Sequence, residues 1–237
     1  MLAVFKKELK GYFNGPIAYI VVVFFLEFGT IWFLYVQQFL YQNVASMQGF
    51  FSLVPMLYVM VLPALTMRVW AEERRQGTDE VLLTLPITET AVVLGKFFAS
   101  FFVVLLIAFL TLPLTLALLP LGDFQTGPLI GQYVGILLLG ASGVAVGQFI
   151  SGFASNQISA FLFSLIALLI ITLVGRVNSL VNLPGFLAAL LNYFSLSFHF
   201  QSFDLGILSS RDVLYFVLLT AFFLYLNVRV LVHKKWR

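Results

Sequence analysis

At 237 residues, with 61% hydrophobic and only 10% charged side chains, the chain is far too apolar for a water-soluble domain, in which charged residues make up about 25%. Its zero cysteine count excludes disulfides, thiolate metal sites and a cysteine nucleophile. The formal charge of +3 comes from 13 Lys+Arg against 10 Asp+Glu, and these basic groups are too few and too close to apolar segments for nucleic-acid binding.

What remains is an all-α integral membrane protein with a single transmembrane domain. A spanning helix needs roughly 20 apolar residues, because the hydrocarbon layer is about 30 Å thick and a helix rises about 1.5 Å per residue. The start, MLAVFKKELKGYFNGPIAYIVVVFF, is basic and then apolar, but it runs past signal-peptide length without a small-residue cleavage pattern and reads as a retained anchor. Within it, Leu2, Phe5, Leu9 and Phe13 recur at helical spacing with Lys6, Lys7 and Lys10 elsewhere on the wheel. Residues 1 to 15 therefore predict an amphipathic interfacial helix lying in the headgroup layer, followed by a turn at Asn14, Gly15 and Pro16.

Six apolar segments follow, at about 17 to 37, 50 to 70, 93 to 119, 129 to 151, 157 to 176 and 211 to 231. With both termini in the cytoplasm, Lys6, Lys7, Lys10, Arg68, Arg74, Arg75, Lys96, Arg229, Lys234, Lys235 and Arg237 fall inside and only Arg176 and Arg211 outside. That is 11 against 2, as the positive-inside rule requires.

In the first span, Glu27 is the one acidic residue deep within an apolar segment. A charge there costs about 2.5–3.5 kcal/mol on insertion scales, so it marks a pathway, a subunit interface or a structural polar contact. Pro55, Pro63 and Pro113 lie within spans and read as kinks. In the fourth segment, Gly131, Gly135, Gly143, Gly147 and Ser151 stand in steps of four or eight, a pattern that lets helix backbones approach closely, within the chain or between subunits. The stretch 177 to 210, with LPGFLAALLNYFSLSFHF, predicts a short helix or hairpin partly embedded in the outer leaflet. His199 and Asp204 there lack the further ligands a metal needs, so His199 reads as an interfacial polar residue and no metal site is expected.

Between the second and third spans the sequence reads AEERRQGTDEVLLTLPIT. Glu72, Glu73, Arg74 and Arg75 continue the second span past the membrane surface. Thr78 can cap a short helix with Asp79 and Glu80 in its first turn, Val81, Leu82 and Leu85 on one side, and Pro86 as its stop. At about two turns it is too short to stand alone, and a charged rim beside an apolar face suits a groove on a soluble partner. Exposed ion pairs stabilise by only about 0.3–0.5 kcal/mol each, which makes docking a better reason for them than stability.

These residues bring a family into view. LTMRVWAEERRQGTDEVLLTLPIT closely resembles the loop between spans two and three of ABC-2 type permeases, particularly those similar to the gliding-motility-associated permease subunit. LGKFFASFF, GFASNQISAFLFSLI and LSFHFQSFDLGILSSRDVLYFVLLTAFFLYLNVRVL resemble the third span, the fifth span, and the last external loop with the sixth span. GILSS departs from the family's usual pattern, and no role is carried onto Ser209 or Ser210.

The resemblance implies a six-span half-transporter of a bacterial plasma membrane, with residues 78 to 85 as the coupling helix docked on an ABC ATP-binding subunit. Glu72, Glu73, Arg74, Arg75, Thr78, Asp79, Glu80, Leu82 and Leu85 are then the ATPase-coupling contacts. It also implies a second copy or a related permease half, and a companion membrane subunit with a large external domain. No phosphate-binding G-x-x-x-x-G-K-[ST] loop occurs, so ATP and Mg2+ are expected on the partner ATPase and no cofactor in this chain. Two other readings stand beside permease function. One is a force-transmitting or envelope-assembly complex that moves no solute itself, since Glu27, Gln37, Gln148 and Asn156 are almost the only polar groups available for a path. The other, an ATP-independent channel or secondary transporter, leaves the capped loop helix unexplained.

Overall fold

In hydrocarbon every backbone N–H and C=O must be paired within the protein, and this chain meets that requirement with helices. The computed structural model describes residues 1–41, 45–78, 87–122, 124–177 and 184–235. Among them the α-helices are α1 Leu2–Asn14, α2 Ile17–Ile31, α3 Gln48–Phe51, α4 Val54–Thr66, α5 Arg68–Arg75, α6 Glu89–Leu118, α7 Thr126–Ser151, α8 Gln157–Leu173, α9 Gly185–Phe194, α10 Leu196–Asp204 and α11 Ser210–Lys235. The first span runs on from α2 through a π turn, and α4 with α5 forms the second. The six helices long and apolar enough to cross a membrane are Ile17–Tyr41, Val54–Arg75, Glu89–Leu118, Thr126–Ser151, Gln157–Arg176 and Ser210–His233.

Burial sorts the spans. The most apolar windows of the second and fourth are 72% and 61% buried, against 22% and 11% for the fifth and sixth, so α4 and α7 form the interior and α8 and α11 the outside. The glycine stripe explains how α7 reaches the middle. A Cβ on Gly135 would stand 2.5 Å from Phe203 Cβ, and Cβ atoms on Gly143 and Gly147 would collide with Leu62 and Thr66. The stripe is thus used within the chain, against α4 on one side and α10 on the other.

Pro55 sits in the first turn of α4, where its missing N–H costs nothing; Pro63 and Pro113 do lie inside helices. The stretch before the last span consists, where described, of α9 and α10. Ser195 caps α10, accepting from Phe198 N while donating to the Thr172 carbonyl at the end of α8. The chain termini share one end of the bundle, where α1 packs along α6 and Leu231 of α11 meets Val69, Trp70, Val92 and Val93. α9 and α10 occupy the far end.

Candidate functional site at the terminal end

The loop between spans two and three begins where α5 stops. Gly77 takes φ +67°, a left-handed conformation open to glycine without strain, and its N–H and that of Thr78 return to the carbonyls of Arg74 and Glu73. The Thr78 hydroxyl donates to the same Glu73 carbonyl at 3.3 Å. The chain is described again from Ile87, and Glu89 opens α6 with an acidic group at its positive end. Asp79, Glu80, Leu82 and Leu85 lie outside the described residues.

Two turns into α6, Lys96 points toward α1 and α5 and is fully buried. Its ammonium donates to Glu8 Oε1 at 2.8 Å, to the Val69 carbonyl at 2.8 Å and toward Glu73 Oε1 at 3.0 Å, and it stands 4.7 Å from the centre of the Trp70 ring. Two hydrogen bonds, a second carboxylate at ion-pair distance and the Trp70 ring face together compensate the buried cation. Lys7, on the solvent side, reaches the same Glu73 oxygen at 3.0 Å. Burial works against its ammonium, but the hydrogen bond and charge of Glu73, with Glu8 adding to them, hold it above the ordinary lysine value. Two cations and two carboxylates from α1, α5 and α6 thus share one junction.

Lys96 and Glu73 stand on opposite stems of the loop, so their contact staples the stems together. α1 is drawn in as the third partner. Tyr12 donates to the Leu65 carbonyl and pairs with Ser100, and Arg68 donates to the Gly11 carbonyl. α1 is therefore more than a surface float, since Val4 and Tyr12 are buried in the bundle.

Arg74 fixes a fourth element. Its guanidinium donates to the carbonyls of Gly152 and Ala154, in the turn between α7 and α8. Ser151 works at the same place, its hydroxyl accepting from the Trp70 and Ala71 amides and donating to the Met67 carbonyl. Of the four charged residues in AEERRQ, then, Glu73 is buried and Arg74 turns inward. Glu72 accepts from Gln76 rather than from Arg75, and Arg75 is exposed. Glu27 is exposed on α2, opposite the buried Val22 and Phe25 and far along the chain from this junction.

Residues 34–229 match the family described as ABC-2 family transporter protein. The chain belongs to this family. No curated protein matches it. As an ABC-2 family member it is a membrane permease component rather than an ATPase, and permeases of this family work with an ABC ATPase subunit. Among the described residues of the permease, no group of three or more His, Cys, Asp or Glu converges to hold a metal ion.

Reading the sequence alone placed Lys96 among basic residues at the membrane surface and overlooked Glu8. A signal was present: Lys96 is the only charged residue of α6 after Glu89. His199, expected as an interfacial polar residue, is buried against Asp212 of α11, a partner its sequence spacing did not announce.

Proposed function

We propose that this permease is the membrane half of a bacterial plasma-membrane ABC complex, with both termini in the cytoplasm, and that its terminal-end junction receives the stroke of the ATPase. The observation that carries this reading is the buried contact of Lys96 with Glu73 and Glu8. It joins both stems of the 79–86 segment to one another and to α1. Whatever displaces that segment then moves α5 and α6 as a unit instead of flexing a loose loop. ATP supplies the work on the partner chain, with Mg2+; nucleotide must favour one arrangement of the permease over the other, since an effector with no preference shifts nothing.

On this reading Leu82 and Leu85 are the apolar face that enters the ATPase groove, with Glu72, Arg75, Thr78, Asp79 and Glu80 at its rim and Glu73 and Arg74 holding the stems from within. Phe153, 60% exposed in the turn that Arg74 grips, offers a second apolar contact on the same side. Replacing both Leu82 and Leu85 by Asp is expected to leave the protein inserted while ATP hydrolysis no longer responds to it. The measurement is ATPase activity of the purified complex in nanodiscs; full stimulation by that variant would sink the docking reading.

A second permease half, a copy of this chain or a related one, fits the exposed acid on α2. Ile20, Val23, Glu27 and Ile31 form one exposed stripe, and a carboxylate there is far better placed against protein or water than against lipid.

The force-transmitting alternative, in the manner of the gliding-motility-associated permeases and with a companion subunit bearing a large external domain, draws support from where the polar groups lie. Gln148 is buried and donates to the Val93 carbonyl, Asn156 caps α8, and Glu27 faces outward. These three do not line a common path within the chain. Transport by one half would need such a path, whereas transmission of force would not.

A further inference from the structure

The far end of the bundle carries a second ionic site, apart from the junction. His199 of α10 is fully buried, its Nδ1 2.6 Å from Asp212 Oδ1 of α11 and its Nε2 3.0 Å from the Tyr193 carbonyl of α9. Tyr215 stacks on the imidazole with ring centres 3.8 Å apart.

The count of hydrogens at this ring is constrained. A carbonyl oxygen can only accept, so Nε2 must bear a hydrogen. At Nδ1 the neighbour is a carboxylate that also takes the side chains of Ser202 and Ser209 as hydrogen-bond partners. It stands in the first turn of α11, where the helix dipole favours the anion. A ring with hydrogen on Nε2 alone would set the Nδ1 lone pair against that anion at 2.6 Å. With Asp212 ionised, only a doubly protonated imidazole satisfies both neighbours; the neutral pair would place the same proton on the carboxyl, donating to Nδ1, and differs by one ring-bound hydrogen.

Few other charges bear on it. Tyr193 and Tyr215 flank the ring, and Arg211 lies 5.9 Å from the centre of the Tyr193 ring. Arg176 follows α8, and Asp204 at the end of α10 is within reach of Gln48 at 3.5 Å. The other helices packed on α10, namely α4, α7 and α8, carry no Asp, Glu, Lys, Arg or His, and their titratable groups are Tyr58 and Tyr133.

We propose that His199 and Asp212 form a proton-binding staple, in which one proton held on the imidazole fastens the α9 and α10 pair to the first turn of the sixth span, and loss of that proton frees it. The sign follows from linkage. The closed state holds a proton that the open state releases once the pH exceeds the value of a solvated imidazole, about 6.5. The staple is complete below that pH and is lost as pH rises through the point where the buried ring gives up its proton.

The test uses the full chain in lipid nanodiscs with 15N-labelled histidine. There are 2 histidines, and His233→Gln assigns them. At pH 7.5 His199 is expected to show two protonated ring nitrogens. Hydrogen exchange of the α9 and α10 amides is expected to quicken about tenfold per pH unit beyond the rise at α7, from about pH 6.5 until the His199 signals convert, and then to level off. Asp212→Asn should remove both the doubly protonated signals at pH 7.5 and the excess exchange slope. A His199 ring with one protonated nitrogen at pH 7.5 in the unmodified chain would overturn the proposal, as would exchange in α10 that ignores the ring's titration; neither result depends on a variant folding.

Discussion

Lys96 shows how one side chain can be costly and necessary together. Removing it leaves Glu8 and Glu73 facing each other with only Lys7 between them and solvent, and breaking a buried ion pair costs about 3–5 kcal/mol. Lys96→Met should therefore lower the melting temperature of the purified permease sharply, and adding Glu8→Gln and Glu73→Gln should recover most of the loss. Stability restored with ATPase stimulation still absent would identify the charges as the transmitting contact. Asp204 makes the opposite case. Burial pushes its carboxyl up to about 6 from an ordinary 3.8, with Gln48 offering only partial relief, and Asp204 Oδ1 has no partner among the described residues. Its folded-state value is raised, so the protonated acid favours the fold below about pH 4 and that advantage is lost as pH rises through 6. Asp204→Asn is expected to stabilise the permease at pH 7.5 by on the order of 1 kcal/mol, after discounting for partial solvation. Thermal melts at pH 7.5 and 4.5 would check this, the difference shrinking at the lower pH.

Among the elements, α7 depends most on what it lacks. A side chain at Gly143 or Gly147 has no room beside Leu62 or Thr66, and neither neighbour is the free end of a long flexible group. Gly147→Val is expected to separate α4 from α7 and to reduce the folded, detergent-stable fraction several-fold, as size-exclusion chromatography would show. The corresponding change at Gly127, where a Cβ meets nothing within 4 Å, should be silent. The spans were legible in the sequence because bilayer thickness demands a length of apolar chain that no other feature mimics. The glycine stripe was legible too, although its partners were not, since spacing names a face without saying what covers it. Lys96, Glu8 and His199 escaped for a related reason. Each looks like a surface group until packing brings a distant partner against it, 88 positions away for Lys96 and Glu8 and 13 for His199 and Asp212. The Gly77 stop to α5 was within reach of sequence reasoning, as glycine just past a helix full of arginine is a common end signal.

At the scale of the whole molecule, the proposed function assigns two faces to other proteins: the side of the junction from which the 79–86 segment departs, and the α2 stripe carrying Glu27. The chain has no native cysteine, so single cysteines report cleanly. Val23→Cys or Ile31→Cys is expected to form a disulfide-linked pair of permease halves in native membranes, while Phe222→Cys, on the exposed side of α11, should remain monomeric. Cross-linking at Phe222 without any at the α2 stripe would assign the contact to another face.

The second span is discontinuous at Met67, and the serine of a neighbouring helix fills the gap. At this break the Ser151 hydroxyl accepts from the Trp70 and Ala71 amides and donates to the Met67 carbonyl. A bend in a buried helix ordinarily strips backbone groups of their partners in a medium that supplies none. Here a replacement partner is already in place, belonging to the same turn that Arg74 grips. On the proposed coupling, the second span acts as a jointed rod whose bearing belongs to the end of the fourth span, so that a push at its loop end turns the lower segment without unravelling the upper one.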